Sequence, residues 1–80
     1  AYPNPFNPST TLSFSVPVDG MIQISIYNIV GQELIELANE FQTPGTYEYT
    51  WDASIYPSGV YFARLSLNNT FHTQKLVLMK

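Results

Sequence analysis

The stretch Gly59–Leu67, Gly-Val-Tyr-Phe-Ala-Arg-Leu-Ser-Leu, decides the fold class of this chain. It is dense in β-branched and aromatic residues and follows a Pro57-Ser58-Gly59 turn, which is typical of a strand. Alternation divides its side chains between two faces, with Tyr61, Ala63, Leu65 and Leu67 on one and Val60, Phe62, Arg64 and Ser66 on the other. Neither face is clearly polar, so we expect this strand near the middle of a sheet.

Tyr61 gives a further indication of the fold. In immunoglobulin-like sandwiches a tyrosine enters the F strand just after a corner, two residues before a conserved cysteine. Here Tyr61 follows the corner at Gly59, and Ala63 occupies the place of the cysteine. We therefore predict an all-β, immunoglobulin-like or fibronectin type III-like antiparallel sandwich that has no disulfide.

Strands are predicted on both sides of this stretch. Ser9–Val16 and Met21–Tyr27 alternate between apolar and polar residues, and the short turn between them predicts an antiparallel hairpin. Thr46–Trp51 alternates with three aromatic residues inward, Tyr47, Tyr49 and Trp51, and the tryptophan is expected to anchor the core. Asn68-Asn69 predicts a tight turn with positive φ at both residues, and Thr70–Lys80 then forms the last strand.

The segment Glu33–Ala38 is ambiguous. Its apolar residues and Phe41 have helical spacing, but the segment is short, weakly capped and flanked by strands. We favour a short strand, keep a helix as the alternative, and expect a loop over Asn39–Gly45. The count is then six strands, or seven if the proline-rich lead-in at residues 1–9 pairs along an edge.

The composition limits the possible functions. Eighty residues predict one domain, 1–80, and the abrupt start at Ala1 suggests the end of a longer protein. Three basic residues in a chain of net charge −3 argue against nucleic-acid binding. The chain has no cysteine, so thiolate metal sites are excluded, and no apolar run is long enough to span a membrane.

No catalytic constellation is recognisable. His72 is the only histidine and has no neighbouring ligands, and the six acidic residues are scattered over predicted turns and outer faces. We therefore predict no enzyme activity, no cofactor, no metal and no small-molecule substrate. A carbohydrate-binding platform formed by the outer-face aromatics Tyr27 and Phe62 is the alternative, as in an accessory module of a secreted enzyme.

Six short motifs follow one another along the whole chain: Tyr2-Pro3-Asn4-Pro5-Phe6-Asn7-Pro8-Ser9-Thr10-Thr11, Ile26-Tyr27-Asn28-Ile29-Val30-Gly31-Gln32-Glu33, Pro44-Gly45-Thr46-Tyr47, Trp51-Asp52-Ala53-Ser54, Pro57-Ser58-Gly59-Val60-Tyr61-Phe62 and Lys75-Leu76-Val77-Leu78-Met79-Lys80. In this order they resemble the type IX secretion C-terminal sorting domains (type A) of the Bacteroidetes and related bacteria. That family is also similar to the immunoglobulin-like domain of flagellar hook-capping proteins. Within its Tyr-Asp-Leu-Leu-Gly-Arg-Glu block, Asn28 and Gln32 are departures.

The resemblance implies a non-catalytic address label that follows a larger cargo domain in the same polypeptide. Its expected partners are the outer-membrane translocon, its shuttle protein and a cell-surface sortase, and its destination is the cell surface or the medium. Recognition would depend on six residues: Lys75, Leu76, Val77, Leu78, Met79 and Lys80. Members often carry a basic residue where this chain has Gln74. The structural motif positions would be Pro3, Asn4, Pro5, Gly31, Gly45, Tyr47, Trp51, Gly59 and Tyr61.

Overall fold

The computed structural model describes residues 8–79, which form six strands and no helix. The strands are β1 (Ser9–Val16), β2 (Gly20–Tyr27), β3 (Glu33–Gln42), β4 (Gly45–Asp52), β5 (Gly59–Leu67) and β6 (Thr70–Leu78). Since this part of the chain contains no helix, it contains none that could cross a membrane. The lead-in motif residues Pro3, Asn4 and Pro5, as well as Lys80, lie outside the described residues.

The strands form two antiparallel sheets. β1 pairs with β4, and the other four strands follow the order β3-β2-β5-β6. The buried side chains of both sheets form one apolar core, in which Leu12, Ile24 and Leu65 are fully or almost fully buried. The chain is therefore a small, disulfide-free β-sandwich, which confirms the predicted fold class.

The predicted hairpin of β1 and β2 is wrong. β1 pairs along its whole length with β4, from Ser9 opposite Asp52 to Val16 opposite Gly45. The turn at residues 17–19 instead carries the chain from one sheet to the other. The alternating apolar side chains of β1 and β2 consequently belong to different sheets, and both sets are buried in the core between those sheets.

β5 lies inside the larger sheet, as predicted. It pairs with β2 on one side and with β6 on the other. Every second side chain from Tyr61 to Leu67 is buried. On the other face, every second side chain from Val60 to Ser66 is half-buried. Asn68 and Asn69 have φ values of 49° and 66°, so the turn from β5 to β6 has the predicted positive φ at both residues.

The segment from Glu33 is a strand, and it continues to Gln42 through part of the predicted loop. Its pairing with β2 shifts twice: Ile24 lies opposite Ala38 but Ser25 opposite Glu36, and a second shift follows Ile26. Each shift leaves an unmatched leucine, Leu37 and then Leu34, and both pack partly against the core. Bulges of this kind place inward side chains three residues apart, so the spacing that suggested a helix is that of a bulged strand.

An aromatic cluster fills the end of the sandwich where β4 leads into β5. Trp51 is 1% exposed, and its ring lies 5.3 Å from that of Tyr61 and 5.6 Å from that of Tyr56. The Trp51–Tyr61 contact is edge-to-face, with an angle of 67° between the rings, a favoured arrangement for aromatic pairs. Trp51 thus anchors the core, as the sequence predicted.

Candidate functional site

The last strand divides the predicted recognition stretch into two kinds of residue. Leu76 and Leu78 are 0% and 1% exposed and belong to the core, whereas Lys75 and Met79 are exposed and Val77 is half-buried. β5 fixes this alternation, because Tyr61 lies opposite Leu76. In the folded domain the two leucines are therefore unavailable to a partner, and the intervening residues form the accessible side.

β6 is the last strand of the larger sheet among the described residues, and only β5 pairs with it there. It also approaches the smaller sheet, since the Gln74 side chain donates a hydrogen bond of 3.4 Å to the backbone oxygen of Ser13. Gln74 occupies the position where members of the family that the chain resembles often carry a basic residue. Here its amide connects the edges of the two sheets.

The outer face of the larger sheet carries a row of aromatic and basic side chains. Tyr27 lies opposite Phe62, which in turn lies opposite Lys75 on β6. The two aromatic residues considered as a carbohydrate platform are therefore neighbours on this face. They line a groove of about 270 Å³, which is completed by Asn28, Ile29, Gly31, Arg64 and Thr73.

Arg64 separates this groove from a second depression of about 200 Å³ on the same face. Its guanidinium carbon lies 3.9 Å from the centre of the Phe71 ring, within range of a cation–π contact. Sequence alternation placed Arg64 on this face but did not link it to Phe71. That contact depends on the register of β5 and β6, in which Ser66 lies opposite Phe71.

A hydrogen-bonded loop between β2 and β3 forms one end of the groove. The side-chain oxygen of Asn28 accepts hydrogen bonds from the backbone amides of Val30 (3.1 Å) and Gln32 (2.9 Å). Backbone bonds from Asn28 to Gln32 and from Gly31 to Asn28 close the same loop, and Gly31 has a φ of 86°. At its tip, Ile29 and Val30 are 71% and 73% exposed.

Asn28 and Gln32, the two residues that depart from the sequence block of the family that the chain resembles, contact each other in this loop. The side-chain nitrogen of Asn28 donates a hydrogen bond of 2.8 Å to the side-chain oxygen of Gln32. The block has an aspartate and an arginine at these positions, which are oppositely charged. Asn28 and Gln32 thus form a neutral hydrogen-bonded pair at positions where the block carries opposite charges. Both amide side chains hold the loop in place.

The carboxylates on this face lie at the β3 edge and have separate partners. Gln23 donates a hydrogen bond of 2.8 Å to Glu36, and the Tyr27 hydroxyl donates a long one of 3.5 Å to Glu33. Within residues 8–79, no three His, Cys, Asp or Glu side chains are grouped so that they could hold a metal ion. His72 is exposed on β6.

The remaining motif residues within residues 8–79 lie at turns and in the core. Gly45 and Gly59 begin β4 and β5. The Tyr47 hydroxyl donates a hydrogen bond of 2.6 Å to the backbone oxygen of Thr43, across the turn before β4. Tyr61 and Trp51 belong to the aromatic cluster. These positions support the fold, and none of them lines the groove.

Comparison with known proteins gives one clear result. The family described as secretion system C-terminal sorting domain matches residues 1–79, almost the whole chain. Comparison with curated proteins and with solved structures gave no significant match. The family match covers both sheets, the loop at Asn28 and all of β6.

Proposed function

Since the chain belongs to the family of secretion system C-terminal sorting domains, which serve type IX secretion, we propose that it directs a larger cargo protein through the outer-membrane translocon. The family match over residues 1–79 is the observation that carries this proposal. The family is non-catalytic, and it implies interaction with the type IX machinery and export across the outer membrane to the surface or the medium.

The proposed domain organisation follows from this role. Residues 1–80 act as a single sorting domain, with the proline-rich residues 1–9 as a lead-in and a cargo domain before them. A shuttle protein receives the folded domain from the translocon, and a cell-surface sortase then acts on the exported protein. The sandwich supports a mode of recognition that reads a folded surface, since every described strand is paired within one of the two sheets.

We infer that the recognition stretch from Lys75 to Lys80 contributes in two ways. Leu76 and Leu78 hold β6 in the core, while Lys75, Val77 and Met79 offer the accessible side. Lysines in a chain of net charge −3 would orient the domain on an acidic partner surface. This assignment separates residues that a partner contacts from residues that only keep the strand in place.

Point substitutions test this assignment better than truncation. Deleting Leu76 to Lys80 would remove two core leucines, so a loss of export could reflect unfolding alone. We therefore fuse a reporter to the domain and compare Lys75→Gln, Met79→Ser and Lys80→Gln with Leu76→Ala. The reporter is measured in the periplasm and the medium of a type IX-secreting bacterium, and each purified domain is melted by circular dichroism.

The exposed substitutions, combined in one chain, should lower export several-fold while the melting temperature stays near that of the wild type. Leu76→Ala should lower both export and melting temperature. Val18→Ser, at the turn between β1 and β2, is a matched control because Val18 is also exposed, and it should change neither. Wild-type export of the combined exposed variant would contradict recognition through this stretch.

A further inference from the structure

The loop at residues 28–32 holds two aliphatic side chains in solvent at the rim of the groove. Ile29 and Val30 are both more than 70% exposed, although Asn28 fixes the backbone around them through two side-chain-to-backbone hydrogen bonds. An ordered loop cannot readily turn these side chains inward. Exposed apolar residues next to a groove commonly mark a surface that a partner covers.

The groove behind this loop has a positive charge but no negative one. Arg64 is a lining residue, and the lining set contains no carboxylate among residues 8–79. The nearest acidic residues on the face, Glu33 and Glu36, lie towards the β3 edge, where Tyr27 and Gln23 bond them. Although the whole chain has a net charge of −3, Arg64 gives this groove a local positive charge that is complementary to an anion.

We propose that the loop tip and the groove form a docking site for an extended segment of a protein partner in which a carboxylate side chain lies beside an aliphatic residue. The Arg64 guanidinium binds the carboxylate, a pairing that can form two parallel hydrogen bonds. Its position over the Phe71 ring restricts the side chain before binding. Ile29 and Val30 cover the aliphatic residue, and Tyr27 and Phe62 form the floor between the two contacts.

A protein segment fits this surface better than a carbohydrate does. Sugar hydroxyls need hydrogen-bond partners, and the side chains of Ile29 and Val30 provide none. An aliphatic residue instead gains free energy for each CH₂ group that such a surface buries. Tyrosine and arginine close together, surrounded by apolar contacts, are also the residues in which protein interfaces concentrate their binding energy.

This docking site is built around the loop at residues 28–32 and Arg64. Lys75 lies opposite Phe62 on the same face but is not among the lining residues of the groove. The inference therefore goes beyond the proposed sorting function. Its test measures binding by the isolated chain and involves no export, so either proposal can fail while the other stands.

The test selects a random heptapeptide library, displayed on phage, against the immobilised 80-residue chain. Peptides that also bind an Ile29→Ser/Val30→Ser variant are removed. The selected peptides are synthesised, each together with a control peptide in which Asp or Glu is replaced by Asn or Gln. Their dissociation constants are measured for the wild type, Arg64→Gln, Arg64→Lys and the control Val18→Ser, after circular dichroism has verified that each variant folds.

Selected peptides should carry Asp or Glu next to Leu, Ile, Val or Phe. We expect affinity at least about tenfold lower for Arg64→Gln and for the amide peptides, because a hydrogen bond to a charged group contributes about 1.5–3 kcal/mol. Arg64→Lys should lie between the wild type and Arg64→Gln, since lysine retains the charge but loses the planar fork. Val18→Ser should bind as the wild type does.

Three results would overturn the proposal. The first is a selection that yields no peptide beyond those bound by the Ile29→Ser/Val30→Ser chain. The second is a set of peptides whose affinity is the same for Arg64→Gln as for the wild type. The third is Arg64-dependent binding of oligogalacturonate, an anionic glycan probe, without peptide binding, which would assign the groove to acidic carbohydrate.

Discussion

The hydroxyl of Tyr61 donates a 2.6 Å hydrogen bond to the backbone oxygen of Pro57, four residues earlier in the chain. The same tyrosine places its ring against Trp51, with the ring centres 5.3 Å apart. One residue therefore ties the corner before β5 to the aromatic cluster of the core. This hydrogen bond is the one that defines a tyrosine corner in sandwich folds, and it occurs here without the neighbouring cysteine.

Tyr61→Phe should remove the corner bond and leave the ring packing intact. Because the ring is buried and the Pro57 oxygen loses its partner, we expect the free energy of unfolding to fall by about 1–3 kcal/mol. Urea denaturation followed by Trp51 fluorescence measures this change. Tyr27→Phe is the matched control, since its hydroxyl makes only a long hydrogen bond to Glu33. Equal midpoints for Tyr61→Phe and the wild type would contradict a stabilising corner bond.

Stability should decline at alkaline pH through the same hydroxyl. Burial, together with the nearby Tyr56, raises the pKa of Tyr61 above its usual value near 10. A tyrosine with a raised pKa in the folded state stabilises the protein fully below the unfolded pKa, and this contribution is lost as the pH rises through the folded pKa. Ionisation also removes the proton that Tyr61 donates to Pro57.

Urea midpoints measured between about pH 8 and about pH 11 test this dependence. Wild-type stability should be lower at the alkaline end, and Tyr61→Phe should show a shallower decline. Some decline should remain in the variant, because burial also raises the pKa of Tyr49, and Glu40 adds to the effect. An unchanged slope in Tyr61→Phe would assign the alkaline loss to other groups.

Trp51→Ala should be the most damaging of these substitutions. The side chain is almost fully buried between Tyr56 and Tyr61, and removing a large aromatic residue from a core costs about 3–5 kcal/mol. Eighty residues give a total stability of only roughly 4–12 kcal/mol at about 0.05–0.15 kcal/mol per residue. Urea denaturation followed by circular dichroism should therefore show a much lower midpoint for Trp51→Ala than for the wild type, while Phe41→Ala, at an exposed aromatic residue, stays close to the wild type. A loss below about 1 kcal/mol would show that Trp51 is peripheral.

Residue alternation was sufficient to predict most strands and their inward faces. The buried apolar positions of β1, β2 and β5 follow a period of two, which the sequence displays directly. Ser25, on the other face of β2, is buried as well, and alternation had placed it outward. β3 was ambiguous because its bulges at Leu34 and Leu37 break that period. The pairing of β1 with β4 could not be predicted, since a short turn such as residues 17–19 fits both a hairpin and a crossing between sheets.

The groove was only partly predictable for a similar reason. Alternation placed Tyr27, Phe62 and Arg64 on outer faces, but it could not determine which strands are neighbours. Their arrangement depends on the register of β2, β5 and β6, which is set by contacts between distant parts of the chain. The two departures at Asn28 and Gln32 looked independent in the sequence, and only the hydrogen bond between them shows that they form a pair.

Asn28→Ala should loosen the loop that presents Ile29 and Val30. Two backbone amides lose their side-chain acceptor, and at a solvent-accessible site we expect a loss of about 1–2 kcal/mol. Hydrogen exchange measured by nuclear magnetic resonance should become faster at the amides of Val30 and Gln32. Asn28→Asp keeps the acceptor oxygen and should retain most of the protection. If exchange at both amides were the same in Asn28→Ala as in the wild type, the backbone bonds alone would hold the loop.

Gly31→Ala tests the backbone of the same loop independently of its side-chain bonds. Gly31 has a φ of 86°, a conformation that costs residues with a Cβ about 1–2 kcal/mol. No described atom lies within 4 Å of the place that a Cβ would occupy, so the expected cost comes from backbone conformation and not from a clash. Gly31→Asn should be milder, because asparagine adopts positive φ more readily than other residues do. Urea denaturation should therefore rank the wild type first, Gly31→Asn second and Gly31→Ala third, and an alanine variant as stable as the wild type would show that the loop can adopt another backbone conformation at no cost.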